Sequence, residues 1–242
     1  SFDTDGKVTT DIGSSSSDST RAVVIQSDGK IVAAGYSANN FALVRYNTDG
    51  SLDTSFDTDG KVTTDIGSSS SDTAEAVAIQ SDGKIVVAGT SADDFAVVRY
   101  NTDGSRDTSF GTDGKVTTDI GTSSSDTAQA VALQDDGKIV VAGSSDNGSK
   151  ESYAVVRYNS DGSLDTSFDT DGKVTTTLGS TSNYAYAITL QSDGKIVVAG
   201  EIGSPVKGFG VVRFASDGSL DSTFGTSGVV TTTIGTDWSG AY

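Results

Sequence analysis

A tandem repeat limits the folds open to this chain more than any other feature. The pattern Phe-x-Thr-x-Gly occurs five times, and successive copies start 54 to 58 residues apart in a chain of 242 residues. The repeat units begin at Phe2, Phe56, Phe110, Phe168 and Phe224, and the last unit is truncated. A repeat of this length predicts supersecondary units that bury their apolar faces against one another. We therefore treat residues 1–242 as a single repeat domain.

Each full unit contains four short apolar segments in the same order. In the second unit they are KVTTDIG from Lys61, EAVAIQ from Glu75, KIVVAG from Lys84 and FAVVRY from Phe95. Their Val, Ile, Thr and aromatic content is typical of strands. An Asp-Gly turn separates the second segment from the third, which predicts an antiparallel hairpin.

The strands are apolar on both faces. In KIVVAG, Ile85 and Val87 point to one side and Val86 and Ala88 to the other. Such strands must be covered on both sides, and sheets stacked on sheets meet that need. We predict an all-β β-propeller of four-stranded antiparallel blades, with four blades near residues 21–66, 75–120, 129–178 and 185–234 and an extra N-terminal strand from Lys7 to Ile12. The alternatives are an open β-solenoid and a strand-exchanged array.

These segments also resemble a known family. The stretches Phe110–Gly143 and Phe95–Phe110 are similar to the delta-60 repeat, an uncharacterised bacterial repeat, and the similarity extends over nearly the whole chain. The resemblance implies a propeller-type fold and tandem copies in large secreted or cell-surface bacterial proteins. It implies an extracellular or cell-surface location and brings no catalytic residue or cofactor with it.

Composition narrows the choice of function. The chain has 33 acidic and 16 basic residues, a formal net charge of −17, and no His, Cys or Met. It can form no disulfide or Cys/His metal site, and no mechanism that needs an imidazole or a thiol is open to it. The acidic surface argues against nucleic-acid partners, because proteins bind nucleic-acid phosphates mainly through Lys and Arg. No apolar stretch approaches the length of a membrane span, so we predict no membrane insertion.

Asp-Thr-Asp-Gly occurs three times and has two interpretations. Carboxylates two residues apart before a glycine resemble the start of a calcium loop. The favoured interpretation is a plain Asp-Gly turn, because units three and five carry Gly at the first position and unit five has Ser at the second. Calcium is the only cofactor considered, and its ligands would be Asp3, Asp5, Asp57, Asp59, Asp169 and Asp171.

A second set of charged residues recurs in every unit. An Arg ends the fourth segment, and an Asp follows in the junction to the next unit. A charge among apolar strand residues needs a partner of opposite sign. We predict that these residues pair as structural clasps, and a ring of guanidinium groups that captures an anion is the alternative. The arginines are Arg45, Arg99, Arg157 and Arg213, and the acids are Asp53, Asp107, Asp165 and Asp221.

No enzyme is predicted. A glycosidase needs two carboxyl groups in unlike environments, whereas most acids here occupy equivalent turns. The leading hypothesis is a structural or adhesive repeat module that assembles through strand exchange, either with itself or with neighbouring repeats of a longer chain. The alternative is a lectin-like propeller that binds glycan through exposed aromatic residues such as Tyr36, Tyr184 and Trp238. We expect the sequence to be a piece of a larger protein.

Overall fold

Strands make up all the regular secondary structure that the computed structural model describes. The described residues are 2–3, 5–13, 17–67, 71–121, 125–146, 148–179, 182–203 and 208–233. Their strands form four separate antiparallel sheets of four strands each, and spatial order follows sequence order within every sheet. We call these sheets blades A to D.

The four blades have closely similar boundaries. Blade A contains β1 (Asp18–Ile25), β2 (Ile31–Ser37), β3 (Asn40–Tyr46) and β4 (Lys61–Thr64). Blade B contains β5 (Asp72–Ile79), β6 (Ile85–Ser91), β7 (Asp94–Tyr100) and β8 (Lys115–Thr118). Blade C contains β9 (Asp126–Leu133), β10 (Ile139–Asp146), β11 (Glu151–Tyr158) and β12 (Lys173–Thr176). Blade D contains β13 (Asn183–Leu190), β14 (Ile196–Ile202), β15 (Gly208–Phe214) and β16 (Val229–Thr232).

The Asp-Gly turns join the first two strands of each blade, as the sequence predicts. In blade A the backbone N–H of Gln26 donates to the carbonyl of Lys30 at 2.8 Å, and that of Gly29 donates to the carbonyl of Gln26 at 2.9 Å. Gly29 has a φ of 84°, a conformation that glycine adopts without steric cost. The pairing is antiparallel, which fits blades and not the parallel coils of a solenoid.

The fourth strand of each blade comes from the next sequence unit. β4 follows the second Phe-x-Thr-x-Gly pattern and pairs with β3, with Thr64 opposite Phe41 and Lys61 opposite Val44. The chain therefore completes one blade before it begins the next, and the predicted blade boundaries are correct to within about three residues.

A glycine in the second strand of each blade lets the first strand bend across it. The register of β5 against β6 shifts between Ala74 and Ala76, opposite Gly89. A Cβ atom at Gly89 would lie 1.9 Å from the carbonyl oxygen of Thr73, so only glycine fits.

The chain divides into two compact units, residues 1–92 with 96–117 and residues 93–95 with 118–242. In each unit the apolar core lies between two blades, as expected for strands that are apolar on both faces. The core of the first unit includes Val32, Phe41, Leu43, Ile85, Val87 and Val98. The core of the second unit includes Val140, Tyr153, Val155, Ile196, Val198 and Val212.

The predicted extra N-terminal strand is absent as a strand. The residues from Lys7 to Ile12 lie outside every sheet that the structure describes. A strand requires backbone pairing with a neighbour. These residues instead contact blade A through side chains: the hydroxyl of Tyr46 donates to Thr10 Oγ1 at 2.7 Å, and Lys61 Nζ donates to the carbonyl of Asp11 at 2.9 Å.

Candidate functional site

The junction after the third strand of each blade brings an arginine and an aspartate together. In blade A the backbone N–H of Asp53 donates to the carbonyl of Arg45 at 2.9 Å. Asp53 Oδ1 accepts hydrogen bonds from the backbone and hydroxyl of Ser55, at 3.1 and 2.6 Å, while its Oδ2 accepts one from Arg45 Nε at 2.7 Å. Both charged side chains are only 7% exposed. One carboxylate thus closes a turn and neutralises a buried cation.

All four predicted Arg and Asp pairs have the same geometry. The Nε to Oδ2 distances are 2.7 Å for Arg45 and Asp53, 2.8 Å for Arg99 and Asp107, 2.7 Å for Arg157 and Asp165, and 2.8 Å for Arg213 and Asp221. We keep the name clasp for each pair. That the clasps stabilise the fold stays a prediction, and a test is given in the Discussion.

Sequence reasoning missed two further groups, a phenylalanine ring that belongs to all four clasps and a lysine that belongs to those of blades A, B and D. Lys30 Nζ lies 2.9 Å from Asp53 Oδ2, and the corresponding distance from Lys84 to Asp107 is 3.1 Å. The guanidinium carbon of Arg45 also lies 4.4 Å from the centre of the Phe56 ring, a cation–π contact. The recurring Asp-Gly-Lys turn and the junction Phe were visible signals, but nothing in their spacing shows that they meet the Arg.

The clasp acids are held ionised. Burial alone would raise the pKa of Asp53, yet hydrogen bonds from Ser55 and the nearby cations Lys30 and Arg45 more than offset it and hold that pKa far below its usual value. The pKa of Asp107 is lowered in the same way, against its own burial, by Ser109 and Lys84.

The clasp arginines also reach the neighbouring blade within each unit. Arg45 Nη1 donates to the carbonyl of Thr102 at 2.5 Å, and Arg157 Nη1 donates to the carbonyl of Ser216 at 2.5 Å. Arg45 Nη2 lies 3.5 Å from the Ser55 hydroxyl. Because the donors of Arg45 have acceptors within the protein, this geometry favours a clasp over the anion-capturing ring.

The Asp-Thr-Asp-Gly segments form turns in which the two carboxylates have different positions. Asp57 has a φ of 54°, and Gly111 has a φ of 53° at the same place in the next unit, which explains why Asp and Gly alternate there. Asp59 Oδ1 accepts a hydrogen bond from the backbone N–H of Lys61 at 3.0 Å. The same bond is 3.0 Å long between Lys7 and Asp5 and between Lys173 and Asp171, while Asp3 and Asp169 have φ values of 46° and 53°. Calcium binding at these six acids stays a prediction.

An acidic cluster that the sequence did not reveal lies in the second unit. Carboxylate oxygens of Asp94, Asp119 and Asp126 lie within 4.8 Å of one another. Asp94 begins β7, Asp119 follows β8 and Asp126 begins β9. The three acids are far apart in the repeat pattern, so only the folded backbone shows that they converge. Three carboxylates are a donor set that suits a hard cation such as calcium.

One acid of this cluster has a structural role, and the charges of the three acids repel one another. Asp126 is fully buried and its Oδ2 accepts a hydrogen bond from the backbone of Ile120 at 2.7 Å, which is a structural role. Burial and then the charges of Asp119 and Asp126 raise the pKa of Asp94. The same places in blade C and after it carry Ser152, Thr177 and Asn183, and there the hydroxyls of Ser152 and Thr177 lie 2.7 Å apart. At the equivalent places earlier in the chain Asn40 accompanies Asp65 and Asp72, so one of these three sets consists of three acids.

Two of the three aromatic residues named for the lectin alternative lie in strands. Tyr36 is in β2, where the guanidinium carbon of Arg21 lies 5.6 Å from its ring centre. Tyr184 is in β13 and stacks on Tyr186 with ring centres 6.5 Å apart. Trp238 lies outside the described residues.

In the part of the chain that the structure describes, no helix is long and apolar enough to cross a membrane. Four-stranded antiparallel blades, each completed by the following sequence unit and packed face to face within a unit, define the class of β-propeller repeat proteins.

Comparison with family models agrees with this class and adds a family. The model described as "Domain of unknown function (DUF5122) beta-propeller" matches four times, at residues 26–56, 80–110, 134–168 and 191–224, which together make more than half of the chain. The chain belongs to this DUF5122 β-propeller family. Comparison with curated protein sequences gives no match.

One solved structure shares the fold at low sequence identity, and two others are similar with TM-scores below 0.5. A polysaccharide lyase, the PL25 ulvan lyase bound to its GlcA-Rha3S ligand, has a TM-score of 0.52 at 9% identity, over 82% of this chain and 53% of that one. The chain thus spans about half the length of the ulvan lyase. A catalytically inactive virginiamycin B lyase from Staphylococcus aureus with quinupristin has a TM-score of 0.41 at 13% identity, over 89% of this chain and 70% of that one. Drosophila Semaphorin 1b, extracellular domains 1–2, has a TM-score of 0.43 at 11% identity, over 81% and 40%.

Proposed function

We propose that this chain is a non-catalytic structural or adhesive repeat module of a secreted or cell-surface bacterial protein, and that it assembles through strand exchange. We also propose that it is a repeat of the delta-60 type, since the residues from Phe95 to Gly143 resemble that repeat. The absence of readily oxidised Cys and Met residues suits an extracellular location.

One observation carries the proposal: the charged groups that recur in the sequence are used in the same contact in every blade. The four clasps have Nε to Oδ2 distances between 2.7 and 2.8 Å. A contact repeated in this way gives each repeat the same pair of charged groups. It provides no unique pair of groups that could divide the roles of acid and base in catalysis.

The acids outside the clasps support the same conclusion. Asp49, Asp103 and Asp217 each accept hydrogen bonds from the Ser two residues later, which lower the pKa of all three carboxyl groups. Equivalent turns thus give equivalent pKa shifts. A glycosidase pair needs the opposite, two carboxyl groups whose environments push their pKa values apart.

A polysaccharide-cleavage assay tests this proposal. The chain is incubated with ulvan and with neutral and acidic bacterial polysaccharides, and product is followed by the ultraviolet absorbance of unsaturated uronate and by new reducing ends. We expect no product with any substrate. Turnover that stays with the chain through repeated purification would show that the module is an enzyme.

A cleft in the second unit favours ligand binding as a second candidate function. It has a volume of about 530 Å³, and Leu133, Gln134, Asp136, Leu190 and Gln191 are among the residues that line it. Gln134 Oε1 is buried without a hydrogen-bond partner in the described structure. Aliphatic, amide and carboxylate groups suit a polar ligand such as a glycan. A glycan array probed with the wild type and with Gln134→Ala tests this candidate, which requires a hit that the substitution removes.

A further inference from the structure

Within each unit, consecutive blades pack through a knob and a socket. In the first unit a Cβ atom at Gly89 of β6 would lie 2.9 Å from Phe41 Cζ of β3. In the second unit a Cβ atom at Gly200 of β14 would lie 2.8 Å from the Tyr153 hydroxyl of β11. Phe41 and Tyr153 are fully buried. The aromatic side chain at the start of a third strand therefore fills the space that a glycine leaves on the next blade.

The two faces of a blade are thus different. We call the face that carries the aromatic knob and the clasp Arg the leading face, and the face that carries the glycine socket the receiving face. In the first unit, the leading face of blade A contains Val32, Phe41 and Leu43, and it packs against Ile85 and Val87 on the receiving face of blade B.

The leading face of blade D is partly exposed among the residues that the structure describes. Its knob, Phe209, and the neighbouring residues Val211 and Arg213 are partly exposed, whereas the equivalent residues of blade A, Phe41, Leu43 and Arg45, are buried. The side chain of Arg213 is 18% exposed, compared with 7% for Arg45.

Blade A has an uncovered receiving face. Val23 and Ile25 are 64% and 68% exposed, although their equivalents in blade B, Val77 and Ile79, pack against the core. A cavity of about 250 Å³ lies over the socket glycine, Gly35, and is also lined by Val8, Thr10, Ala33, Val44 and Tyr46. The three atoms nearest to a Cβ at Gly35 all belong to Ser19 and Thr20, whereas an atom of Phe41 is among the three nearest at Gly89.

The N-terminal segment occupies the place of an outer strand of a blade before blade A. The Tyr46 hydroxyl donates to Thr10 at 2.7 Å, just as the Tyr100 hydroxyl donates to Thr64 of β4 at 2.8 Å. The backbone N–H of Asp3 donates to the carbonyl of Asp49 at 2.5 Å, as that of Asp57 does to Asp103.

The sequence of the segment also fits an outer strand. Residues 7–10 read KVTT, which is the sequence of β4, β8 and β12, whereas β16 reads VVTT. Blade D has three inner strands and a partly exposed knob. Its outer strand, β16, is partly or fully exposed at every residue. The other end of the chain offers the complementary parts. The N-terminal segment has the sequence of an outer strand, and blade A has the cavity over Gly35.

We propose that two copies of this chain join head to tail by exchanging this segment, an inference that rests on the proposed assembly function. β13 to β15 of one copy dock on the receiving face of blade A of the second copy. The second copy's Lys7–Thr10 pairs with β15 in place of β16, and Phe209 enters the cavity over Gly35. Because the contact is heterologous, it can continue from copy to copy.

The register of the existing strands predicts which residues meet. Val211 lies opposite Val230 in β16, and the equivalent Leu43 lies opposite Val62 in β4. Val8 occupies the place of Val62 in the KVTT sequence, so Val211 of one copy should face Val8 of the other. Directly opposed strand residues lie within the Cα separation that a disulfide spans.

Cysteine cross-linking tests this proposal in the full chain, which has no Cys of its own. Val8→Cys and Val211→Cys chains are mixed and oxidised, and products are separated without reductant. We expect a heterodimer that forms only in the mixture and is lost when the Val211→Cys chain also carries Phe209→Ala. A Val211→Cys/Val230→Cys chain reports the competing state, in which β16 stays in place.

Two results would overturn the proposal: no heterodimer together with complete intrachain oxidation of Val211→Cys/Val230→Cys, or a disulfide that forms only within one chain carrying both Val8→Cys and Val211→Cys. Val23→Glu on the exposed receiving face should reduce heterodimer yield at least tenfold, whereas Ser192→Glu, in an exposed turn, adds the same charge and should not. Failure of cross-linking would leave the non-catalytic proposal intact, because that proposal is tested by polysaccharide turnover.

Discussion

At the scale of single residues, the clasp lets a strand that is apolar on both faces carry a charge. Arg45 is buried with Asp53, a phenylalanine ring and a backbone carbonyl of the neighbouring blade. Burying an ion pair gives little net stability, but removing one partner leaves an uncompensated charge. Replacing one residue of a clasp should therefore destabilise the fold more than replacing both with apolar residues.

We expect Arg99→Leu to lower the free energy of unfolding by roughly 3–5 kcal/mol, because the buried Asp107 would lose the guanidinium that lies 2.8 Å from it and would keep Lys84 at 3.1 Å. Arg106→Leu is the matched control. Arg106 pairs with Asp113, and their side chains are 37% and 52% exposed, so its loss should cost below about 1 kcal/mol. Denaturant unfolding of both variants measures the difference, and equal losses would contradict the clasp.

The clasp acids also predict how stability depends on pH. The folded-state pKa values of Asp53 and Asp107 lie below the unfolded value of about 3.9. Their contribution is therefore fully present above about pH 4 and is lost as the pH falls below it. In thermal melts across this range, Asp107→Asn should be less stable than the wild type at pH 6 and should show a shallower acid dependence. If the melting temperatures of the wild type and Asp107→Asn fell in parallel with pH, the lowered pKa of Asp107 would not be the cause of the acid dependence.

The ionisation of Asp94 should change stability with pH in the opposite direction to that of the clasp acids. The pKa of Asp94 is raised by burial and by Asp119 and Asp126, so its ionised form is penalised in the folded state. The penalty is present at neutral pH and disappears as the pH falls below the unfolded pKa. Asp94→Asn should therefore raise the melting temperature at pH 7 but not in strong acid, and Asp93→Asn should have a smaller effect. A lower melting temperature for Asp94→Asn at pH 7, with calcium removed by chelator, would contradict the repulsion.

At the scale of strands and blades, sequence reasoning worked where the signal was local. Asp-Gly turns and short β-branched segments predict each hairpin, and the period of the repeat predicts that β4 completes blade A. The strand predicted over Lys7 to Ile12 was wrong, because its sequence is that of an outer strand but its backbone pairs with none of the strands that the structure describes. Strand pairing depends on which strand lies next to a segment, and the sequence of the segment alone does not show this.

Equivalent knobs should differ in their contribution to stability. Phe41 is fully buried over Gly89, and Phe41→Ala should cost about 3–5 kcal/mol. Phe209 is partly exposed at the equivalent place, so Phe209→Ala should cost less than half as much in the monomer. Chemical denaturation at low protein concentration compares the two, and equal costs would mean that Phe209 is already covered.

At the scale of the whole molecule, the sequence does not distinguish terminal blades from internal ones. The four third strands are nearly alike, and their exposure depends on what lies against each blade. The cluster of Asp94, Asp119 and Asp126 was missed for a related reason, because its members come from three segments that meet only after folding. The clasp residues, by contrast, recur together in the sequence as an Arg and an Asp, and in each blade the two side chains lie within hydrogen-bond distance.

The net charge should oppose assembly. At −17, copies of the chain repel one another, and salt screens that repulsion over about 10 Å at 0.1 M. If apolar faces and strand exchange drive association, the associated fraction should rise as salt increases from low to moderate concentration. Sedimentation velocity in a salt series measures this, and association that weakens with salt would indicate that ion pairs dominate the contact.

The most direct test of self-assembly is the solution mass of the 242-residue chain, measured by light scattering over a range of concentrations with calcium and with chelator. We predict masses that rise above one chain as concentration increases, in both conditions, and that return to one chain in Phe209→Ala. A single-chain mass at every concentration, identical for the wild type and Phe209→Ala, would contradict the account.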